Sequence, residues 1–456
     1  MRFAADTGGR NRAHRDDDLL DSRAPCAYRA SVANPSIAPR ENAVDRKQVS
    51  AWAIFDFANS SYSAVVTTAV FPVFYATYVV SEGAGGATGE LWLSWADSLA
   101  ALVVALSVPL LGAIADRGGG RKKFMLFYTL LCVVAVAAMT TLDAGMAGRG
   151  FVLFVLAQVG FESAVVFYNA YLPDIAPPER QGWVSGLGFG VGYFGSAVAL
   201  VLAFPLVNGE RMDAVWLMVA AFFLVFSLPA FFVLPRDRPG TMSIGAAARW
   251  GLGNFRAIVG EVWAQRELRR FLFAFFFYID AILTIIVFAG VVATETFGFD
   301  QQGTIVLFLI VQLSALVGAV ALAKPTDRIG PKKVLNGVLV LWVATCVSVY
   351  FIRDPQLFYV MAVVGGLGLG SAQSASRAFM ASLIPHGRES EMFGFYALCG
   401  KSSSIFGPLI FSGTTHLAGG NQRPAFLAIA LLFVVGLVLL QRVNDPRASR
   451  RAAVVA

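Results

Sequence analysis

The sequence predicts an all-α integral membrane protein with twelve transmembrane helices, arranged as two six-helix halves inserted in the same orientation. Its composition is 57% hydrophobic and only 14% charged, whereas soluble domains are about a quarter charged. The apolar residues are grouped in long runs, and a charged loop recurs at equivalent places in the two halves of the chain. These observations together predict a duplicated membrane-spanning unit.

The apolar runs predict the spans, because a helix needs about 20 apolar residues to cross a hydrocarbon core of about 30 Å. The runs lack the alternating segments of about ten residues that are typical of a transmembrane β-barrel. Six runs lie before a polar middle segment and six lie after it. The predicted spans are residues 52–80, 91–114, 124–143, 151–172, 183–207, 213–234, 270–296, 303–323, 334–352, 355–384, 392–417 and 424–441.

The distribution of Lys and Arg predicts the orientation of these spans. An even number of spans places both termini on one side, and the loops on that side hold most of the 36 Lys and Arg residues. The alternate loops hold only Arg149, Arg211, Arg353 and Arg423. Cytoplasmic loops carry an excess of cations, so we expect both termini in the cytoplasm of a protein in the cell (inner) membrane. The net charge of +7 has the same origin and does not indicate nucleic-acid binding.

The chain is predicted to have five parts. Residues 1–50 lack the continuous apolar stretch of a signal peptide and are expected to form a disordered cytoplasmic tail, although their place in the mature protein stays open. Residues 255–268 alternate apolar and charged side chains, which favours an amphipathic helix on the membrane surface; a solvated linker is the alternative. The other predicted parts are an N-terminal bundle (51–235), a cytoplasmic linker (236–268), a C-terminal bundle (269–443) and a cytoplasmic tail (444–456).

The repeat is clearest in two charged stretches, GAIADRGGGRKKF at residues 112–124 and AKPTDRIGPKKV at residues 323–334. Aligned without gaps, Asp116 falls on Asp327 and Gly119 falls on Gly330. Six spans separate the two copies, so both face the same side of the membrane, whereas an odd number would invert them. A carboxylate in such a loop can bind the positive N-terminal end of a neighbouring helix or pair with an arginine.

This loop resembles the motif that follows the second helix of each half in the major facilitator superfamily, G-x-x-x-D-R-x-G-[R/K]-[R/K]. The second copy departs from it, with Ala323 in place of the first glycine. The resemblance implies the major facilitator fold and a gating role in which Asp116 latches the two bundles together on the inside, with Asp327 and Arg328 as its counterpart. A purely topological role of the cations is the alternative. The first copy consists of Gly112, Asp116, Arg117, Gly119, Arg121 and Lys122.

Two further blocks resemble the vacuole-effluxer (autophagy-related) branch of that superfamily and its bacterial relatives. They are DFANS at residues 56–60 and LPDIA at residues 172–176. The resemblance extends over residues 48–443 and implies a secondary transporter. That branch has been linked to the export of amino acids from the vacuole.

Ionisable residues inside spans are costly and therefore mark functional hypotheses. Asp280 and Lys401 each lie about ten residues into a span, near mid-depth, and we expect a buried ion pair between them; alternatively, Lys401 receives a substrate carboxylate. Glu162 is also near mid-depth and either carries a proton or hydrogen-bonds Gln158. Asp56 and Arg377 lie toward the cytoplasmic ends of their spans, where they form an inner gate or extend to the interface.

Neutral polar residues within the spans favour a polar, zwitterionic solute as a group. For each residue alone, hydrogen bonding between helices is the alternative role. The residues are Asn59, Tyr62, Tyr168, Asn169, Tyr278, Gln312 and Gln373.

The sequence therefore predicts a monomeric secondary transporter that moves a small polar metabolite by alternating access, with amino-acid efflux favoured. The rivals are a proton-coupled importer of a sugar, peptide or drug-like solute, and a membrane sensor without flux. No Walker P-loop, Ser–His–Asp set or metal-ligand spacing is present in the sequence, so neither enzyme activity nor a cofactor is expected. The expected partners are the solute and membrane lipids, with protons under the coupled alternative.

Overall fold

The computed structural model describes residues 44–80 and 88–446, which contain helices and turns but no strand. These residues belong to one compact unit, Val44–Ala456. The predicted N-terminal tail up to residue 43 and the C-terminal tail from residue 447 lie outside the described residues. The first helix begins at Arg46, inside the predicted tail, because Asp45 caps it by accepting a hydrogen bond from the Lys47 amide at 2.9 Å.

The described helices are numbered here in chain order. They are α1 (Arg46–Ala69), α2 (Phe71–Val79), α3 (Gly89–Gly118), α4 (Arg121–Thr141), α5 (Ala147–Ile175), α6 (Gln181–Asn208), α7 (Met212–Val233), α8 (Ile244–Gly253), α9 (Phe255–Ala264), α10 (Arg266–Thr296), α11 (Gln302–Ile329), α12 (Pro331–Phe351), α13 (Pro355–Leu383), α14 (Glu389–Ser403), α15 (Phe406–Leu417) and α16 (Arg423–Gln441).

Within the described residues, 10 helices are long and apolar enough to cross a membrane, and the pair of α1 and α2, bent by 40°, makes an eleventh if it is counted as one span. The bend precedes Pro72, whose ring excludes regular helical hydrogen bonding at that point. The all-helical membrane fold is therefore confirmed, whereas the count of twelve is confirmed only in part.

The exception is the predicted span at residues 392–417, which is divided into α14 and α15. Neither helix alone is long enough to cross a bilayer. Pro408 lies just after the break, and a proline cannot accommodate the carbonyl of the residue four positions earlier, Ser404. The amide of Gly407, freed from helical bonding, donates instead to the Asp280 carboxylate at 3.0 Å.

The helices before and after the polar middle segment pack against each other through two main contacts. We call α1–α7 the N-terminal set and α10–α16 the C-terminal set. Helix α3 packs on α14, and α6 packs on α11 and α13. Small residues permit these contacts: a Cβ added at Gly394 would lie 2.8 Å from the Cα of Pro109, and one at Gly186 would lie 2.6 Å from the Ala319 carbonyl oxygen.

Between the two sets, α8 and α9 lie against the charged ends of the spanning helices. Ile258 and Val262 are buried, whereas Leu252 is 70% exposed and Trp263 is 56% exposed. The segment before α8 is tied to the same end, because the Met242 amide donates to the Arg117 carbonyl at 3.3 Å. We call this end of the molecule, with the loops at 115–123, 173–182, 324–333 and 385–391, the basic end.

Candidate functional site

Asp116 joins the two sets at the basic end. It lies in the last turn of α3, and its carboxylate accepts hydrogen bonds from the backbone amides of Ser390 at 3.1 Å and Glu391 at 2.9 Å. These amides belong to the first turn of α14, where unpaired N–H groups and the helix dipole favour a negative charge. We call this contact the first latch.

Asp327 makes the equivalent contact in the second copy of the motif. Its two carboxylate oxygens accept hydrogen bonds from the amides of Gly182 at 2.7 Å and Trp183 at 2.8 Å, in the first turn of α6. We call this contact the second latch. Arg328 is the next residue and is exposed in the last turn of α11. Both copies of the motif thus place a carboxylate on the N-terminus of a helix from the other set.

Two arginines of the first motif copy extend the first latch. Arg121 is buried and pairs with Asp174 at 2.6 Å, with Glu389 at 2.9 Å and with Asp116 at 3.4 Å. Arg117 pairs with Glu391 at 2.9 Å. Asp116 therefore has both partners that the sequence allows, a helix N-terminus and an arginine.

The middle segment crosses this network. Glu261 on α9 pairs with Arg388 at 2.9 Å and with Arg117 at 3.9 Å, and the Arg117 guanidinium lies 4.0 Å from the centroid of the Trp250 ring. Arg238 pairs with Asp174 at 2.5 Å. Ion pairs this exposed contribute about 0–1 kcal/mol each, so the segment braces the latch without dominating its stability.

Gly112 allows the first latch to form, since a Cβ there would lie 2.8 Å from the Glu391 amide nitrogen and would collide with the Ser390 carbonyl. We expect Gly112→Val to separate α3 from α14, at an overpacking cost of about 1–3 kcal/mol. Hydrogen exchange of the Ser390 and Glu391 amides, measured by mass spectrometry, should then accelerate about tenfold or more. Gly148→Val is the matched control, because no atom lies within 4 Å of a Cβ there. Unchanged exchange in Gly112→Val would contradict this account of the latch.

Arg377 forms a second layer, deeper than the latches. Its guanidinium pairs with Asp56 at 3.0 Å and donates to Asn169 at 3.2 Å and to the Ser185 carbonyl at 2.9 Å. Asp56, Asn169 and Ser185 all belong to the N-terminal set, whereas Arg377 is on α13. Arg377 is only 3% exposed, which excludes the alternative that it extends to the interface.

Aromatic rings enclose this buried pair. The Arg377 guanidinium lies 4.0 Å from the centroid of Phe189 and 4.5 Å from that of Trp52, within cation–π distance. Tyr168 stacks on Trp52 with centroids 4.5 Å apart. The Asn59 amide donates to Asp56 at 3.3 Å. The layer therefore blocks the path between the sets with a paired and desolvated charge.

Glu162 and Lys401, both predicted to lie near mid-depth, form an ion pair with 2.6 Å between the Glu162 Oε1 and Lys401 Nζ atoms. We call this pair the mid-depth site. Glu162 also accepts from Gln158 at 3.4 Å, and Gln158 in turn accepts from the Tyr62 hydroxyl at 3.0 Å. The Glu162 side chain is 20% exposed and the Lys401 side chain is 28% exposed. An ion pair between the two sets thus remains accessible to a solute.

The expected pair between Asp280 and Lys401 does not form, and the structure shows why. Lys401 lies in the last turn of α14, on the side that meets Glu162 of α5. Asp280 instead accepts a hydrogen bond from the Gly407 amide at the start of α15, within the C-terminal set. Their depths are similar, but the two side chains point to different partners.

The remaining predicted residues divide between the interface and the interior of one set. Gln373 accepts from the Tyr193 hydroxyl at 2.6 Å across the two sets. Tyr278 and Ser376 share a hydrogen bond of 2.8 Å within the C-terminal set. Gln312 is half-buried on α11. Tyr278 is therefore better placed for helix packing than for the mid-depth site.

Sequence reasoning missed several residues of this region. Asp97 on α3 interacts electrostatically with Lys401 and Glu162, and its position inside the predicted span 91–114 was a sufficient signal under the same rule that selected Glu162. Glu389 and Glu391 were missed because they lie in a short loop outside the spans. Within the described ranges, no group of three or more His, Cys, Asp or Glu side chains could hold a metal ion.

Comparison with known proteins identifies relatives along nearly the whole chain. A family model described as "Vacuole effluxer Atg22 like" matches residues 93–453. The MFS-type transporter YxiO of Bacillus subtilis (strain 168) is 30% identical over 409 residues, covering 88% of this chain and 95% of its own. Autophagy-related protein 22 of Coccidioides immitis (strain RS) is 25% identical and covers 78% of this chain and 72% of its own.

Solved structures show the same fold at lower identity. The human organic anion transporter MFSD10 (TETRAN) aligns with a TM-score of 0.68 at 16% identity, covering 87% of this chain and 99% of its own. The proton:xylose symporter XylE aligns with a TM-score of 0.67 at 12% identity, covering 88% of this chain and 96% of its own.

Proposed function

Because the chain belongs to the Atg22-like vacuole effluxer family of major facilitator superfamily transporters, we propose that it exports a small polar metabolite, with an amino acid as the favoured solute. Membership makes the chain an integral membrane transporter with a small-molecule substrate. The amino-acid class and the outward direction are the proposal. Their support is the family relationship together with the charge pair at mid-depth.

The observation that carries the proposal is the Glu162–Lys401 pair, 2.6 Å apart and partly exposed between the two sets. A zwitterionic solute offers one charge of each sign. Its carboxylate can replace Glu162 at Lys401, and its ammonium group can bind Glu162, so both side chains exchange one ionic partner for another. The exchange leaves neither charge unpaired in a low-dielectric interior, which would be costly.

We propose alternating access as the mechanism, with 51–235 and 269–443 as the two moving bundles of a working monomer. Both latches and the Arg377 layer come from a single chain and close its basic end. With the basic end closed, a solute would reach the exposed parts of Glu162 and Lys401 from the opposite end. Release of both latches would let the bundles rock about the mid-depth pair and expose it at the basic end.

We also propose that the basic end is cytoplasmic and that α9 lies on the membrane surface. The Trp263 ring lies 5.7 Å from Phe273 on the spanning helix α10, and both side chains are exposed, so the apolar stripe of α9 continues into the lipid-facing surface of the span. A spin label at Val259 in nanodiscs should collide more often with oxygen than with a water-soluble nickel chelate. The reverse preference would contradict a membrane contact.

The function is tested by amino-acid counterflow in liposomes that contain the purified protein. We expect exchange without a pH gradient in the wild type and a loss of about tenfold or more in Glu162→Gln and in Lys401→Gln, since each strands its charged partner. Glu210→Gln and Lys333→Gln, which change exposed residues outside the site, are the matched controls. Flux that requires a pH gradient and is lost in Glu162→Gln would instead support the proton-coupled importer, and binding without flux would support the sensor.

A further inference from the structure

Asp97 is a carboxylate near the mid-depth site that takes part in neither latch and does not belong to the Arg377 layer. It is the ninth residue of α3, and its side chain is exposed although Ala96 and Ala100 on either side are fully buried. Among the described residues it makes no hydrogen bond or ion pair at normal distance. A carboxylate placed this far along a spanning helix is costly unless it has a function.

The packing of α3 on α14 fixes the direction in which Asp97 points. Gly394 of α14 packs on Val108 and Pro109, since a Cβ at Gly394 would lie 3.0 Å from the Val108 carbonyl oxygen. Asp97 precedes Val108 by about three helical turns and lies within about 20° of the same face. It therefore lies on the face of α3 that meets α14, and Lys401, two turns after Gly394, lies on the facing side of α14.

The register of the two helices gives the approximate distance between the charges along the helix axes. Lys401 follows Gly394 by about two turns, which brings it level with about residue 102 of the antiparallel α3. Asp97 lies roughly 7 Å further toward the opposite end. This separation is comparable to the length of a lysine or arginine side chain.

The charges at this place do not balance. The electrostatic partners of Lys401 are Glu162 and Asp97, and the charged partners of Asp97 are Lys401 and Glu162. Two carboxylates thus share one ammonium group, and the excess negative charge raises the local concentration of cations. Glu162 already pairs with Lys401 at 2.6 Å, so Asp97 is the carboxylate that is available to bind an incoming cation.

We propose that Asp97 is a cation subsite of the transport site and that the preferred solute is an amino acid with a cationic side chain. The inference rests on the proposed transport function and narrows its substrate class. The α-carboxylate of the solute binds Lys401, its α-ammonium group binds Glu162, and its side-chain cation binds Asp97. All charges of the site and the solute are then paired.

The test compares L-lysine with L-leucine, by isothermal titration calorimetry and by counterflow, using the full-length protein in lipid nanodiscs and liposomes. We expect the wild type to bind L-lysine more tightly. Asp97→Asn should weaken L-lysine about tenfold or more, the loss expected for one charge-assisted hydrogen bond, while L-leucine changes less than about twofold. Asp97→Glu should keep the preference, because the carboxylate persists. Glu90→Gln, on the same helix but exposed in its first turn, should leave both affinities unchanged.

Three results would overturn the subsite. Equal losses for the two amino acids in Asp97→Asn, at unchanged thermal unfolding midpoint, would show that Asp97 does not bind the side-chain cation, while the transport function stands. A wild type that prefers L-leucine, with flux that depends on both Asp97 and a pH gradient, would assign the extra positive charge to a proton. A wild type that neither binds nor moves either amino acid would overturn the amino-acid function together with the subsite.

Discussion

Replacing Arg377 with methionine is expected to abolish counterflow and to lower the free energy of unfolding by about 3–5 kcal/mol, the range found when one partner of a buried ion pair is removed. Asp56, which is buried, would lose its partner at 3.0 Å. Asn169 and the Ser185 carbonyl would also lose a donor. The measurements are amino-acid counterflow in liposomes and the unfolding transition of the purified variant in detergent.

A double variant separates two effects of Arg377→Met: the loss of stability caused by an unpaired charge, and the loss of transport caused by the missing contact between the two sets. Asp56→Asn combined with Arg377→Met removes both charges, so it should regain part of the stability but not the transport rate, because the cross-set contact is still missing. Arg353→Met, in an exposed loop at the opposite end, is the matched single control and should behave as wild type. An Arg377→Met variant that transports at the wild-type rate would show that this layer is not part of the gate.

Removing both latch carboxylates is expected to shift the protein toward a state open at the basic end. Asp116 and Asp327 each accept two backbone hydrogen bonds from a helix N-terminus of the other set. Hydrogen bonds to charged groups contribute about 1.5–3 kcal/mol each, so the Asp116→Asn and Asp327→Asn double variant should shift the closed-to-open ratio a hundredfold or more. Maleimide labelling of a cysteine introduced at Ser374, which is buried behind the latches, measures the shift.

Asp300→Asn provides a control with the same chemistry in a different place. Asp300 also caps a helix, accepting from the Gly303 amide at 2.7 Å, but within the C-terminal set and far from the basic end. Its replacement should cost stability of about 0.5–2 kcal/mol without changing labelling at residue 374. If the latch variant labels no faster than Asp300→Asn, the two carboxylates do not hold the basic end closed.

The sequence was sufficient for most of the fold because hydrophobic length and charged loops are local properties. The helices follow the predicted spans closely, and the motif copies lie where two helices of each set meet. The break between α14 and α15 was missed because the run at 392–417 is long enough for a single span, although it contains Lys401 and three serines directly after it. Pro408 and the acceptor at Asp280 together divide this helix, and the second of these is a tertiary contact.

The sequence predicted how far along their spans the charged residues of the site lie, but not the direction in which their side chains point. Residue counting places Asp280, Glu162 and Lys401 near the middle of their spans, but it does not give the rotation of each helix about its axis. That rotation pairs Lys401 with Glu162 and leaves Asp280 to the start of α15. The same limit applies to Asp97, whose relevance depends on the face of α3 that meets α14.

The basic end and the opposite end are proposed to open in alternation. Distances between pairs of spin labels, measured by double electron–electron resonance, test this proposal most directly. One spin-label pair at Glu179 and Lys333 reports on the starts of α6 and α12 at the basic end. A second pair at Arg211 and Gln302 reports on the C-terminal end of α6 and the start of α11 at the opposite end. On addition of a transported amino acid, the first distance should lengthen as the second shortens. Two distances that change in the same direction, or that stay fixed while the solute is bound, would contradict alternating access.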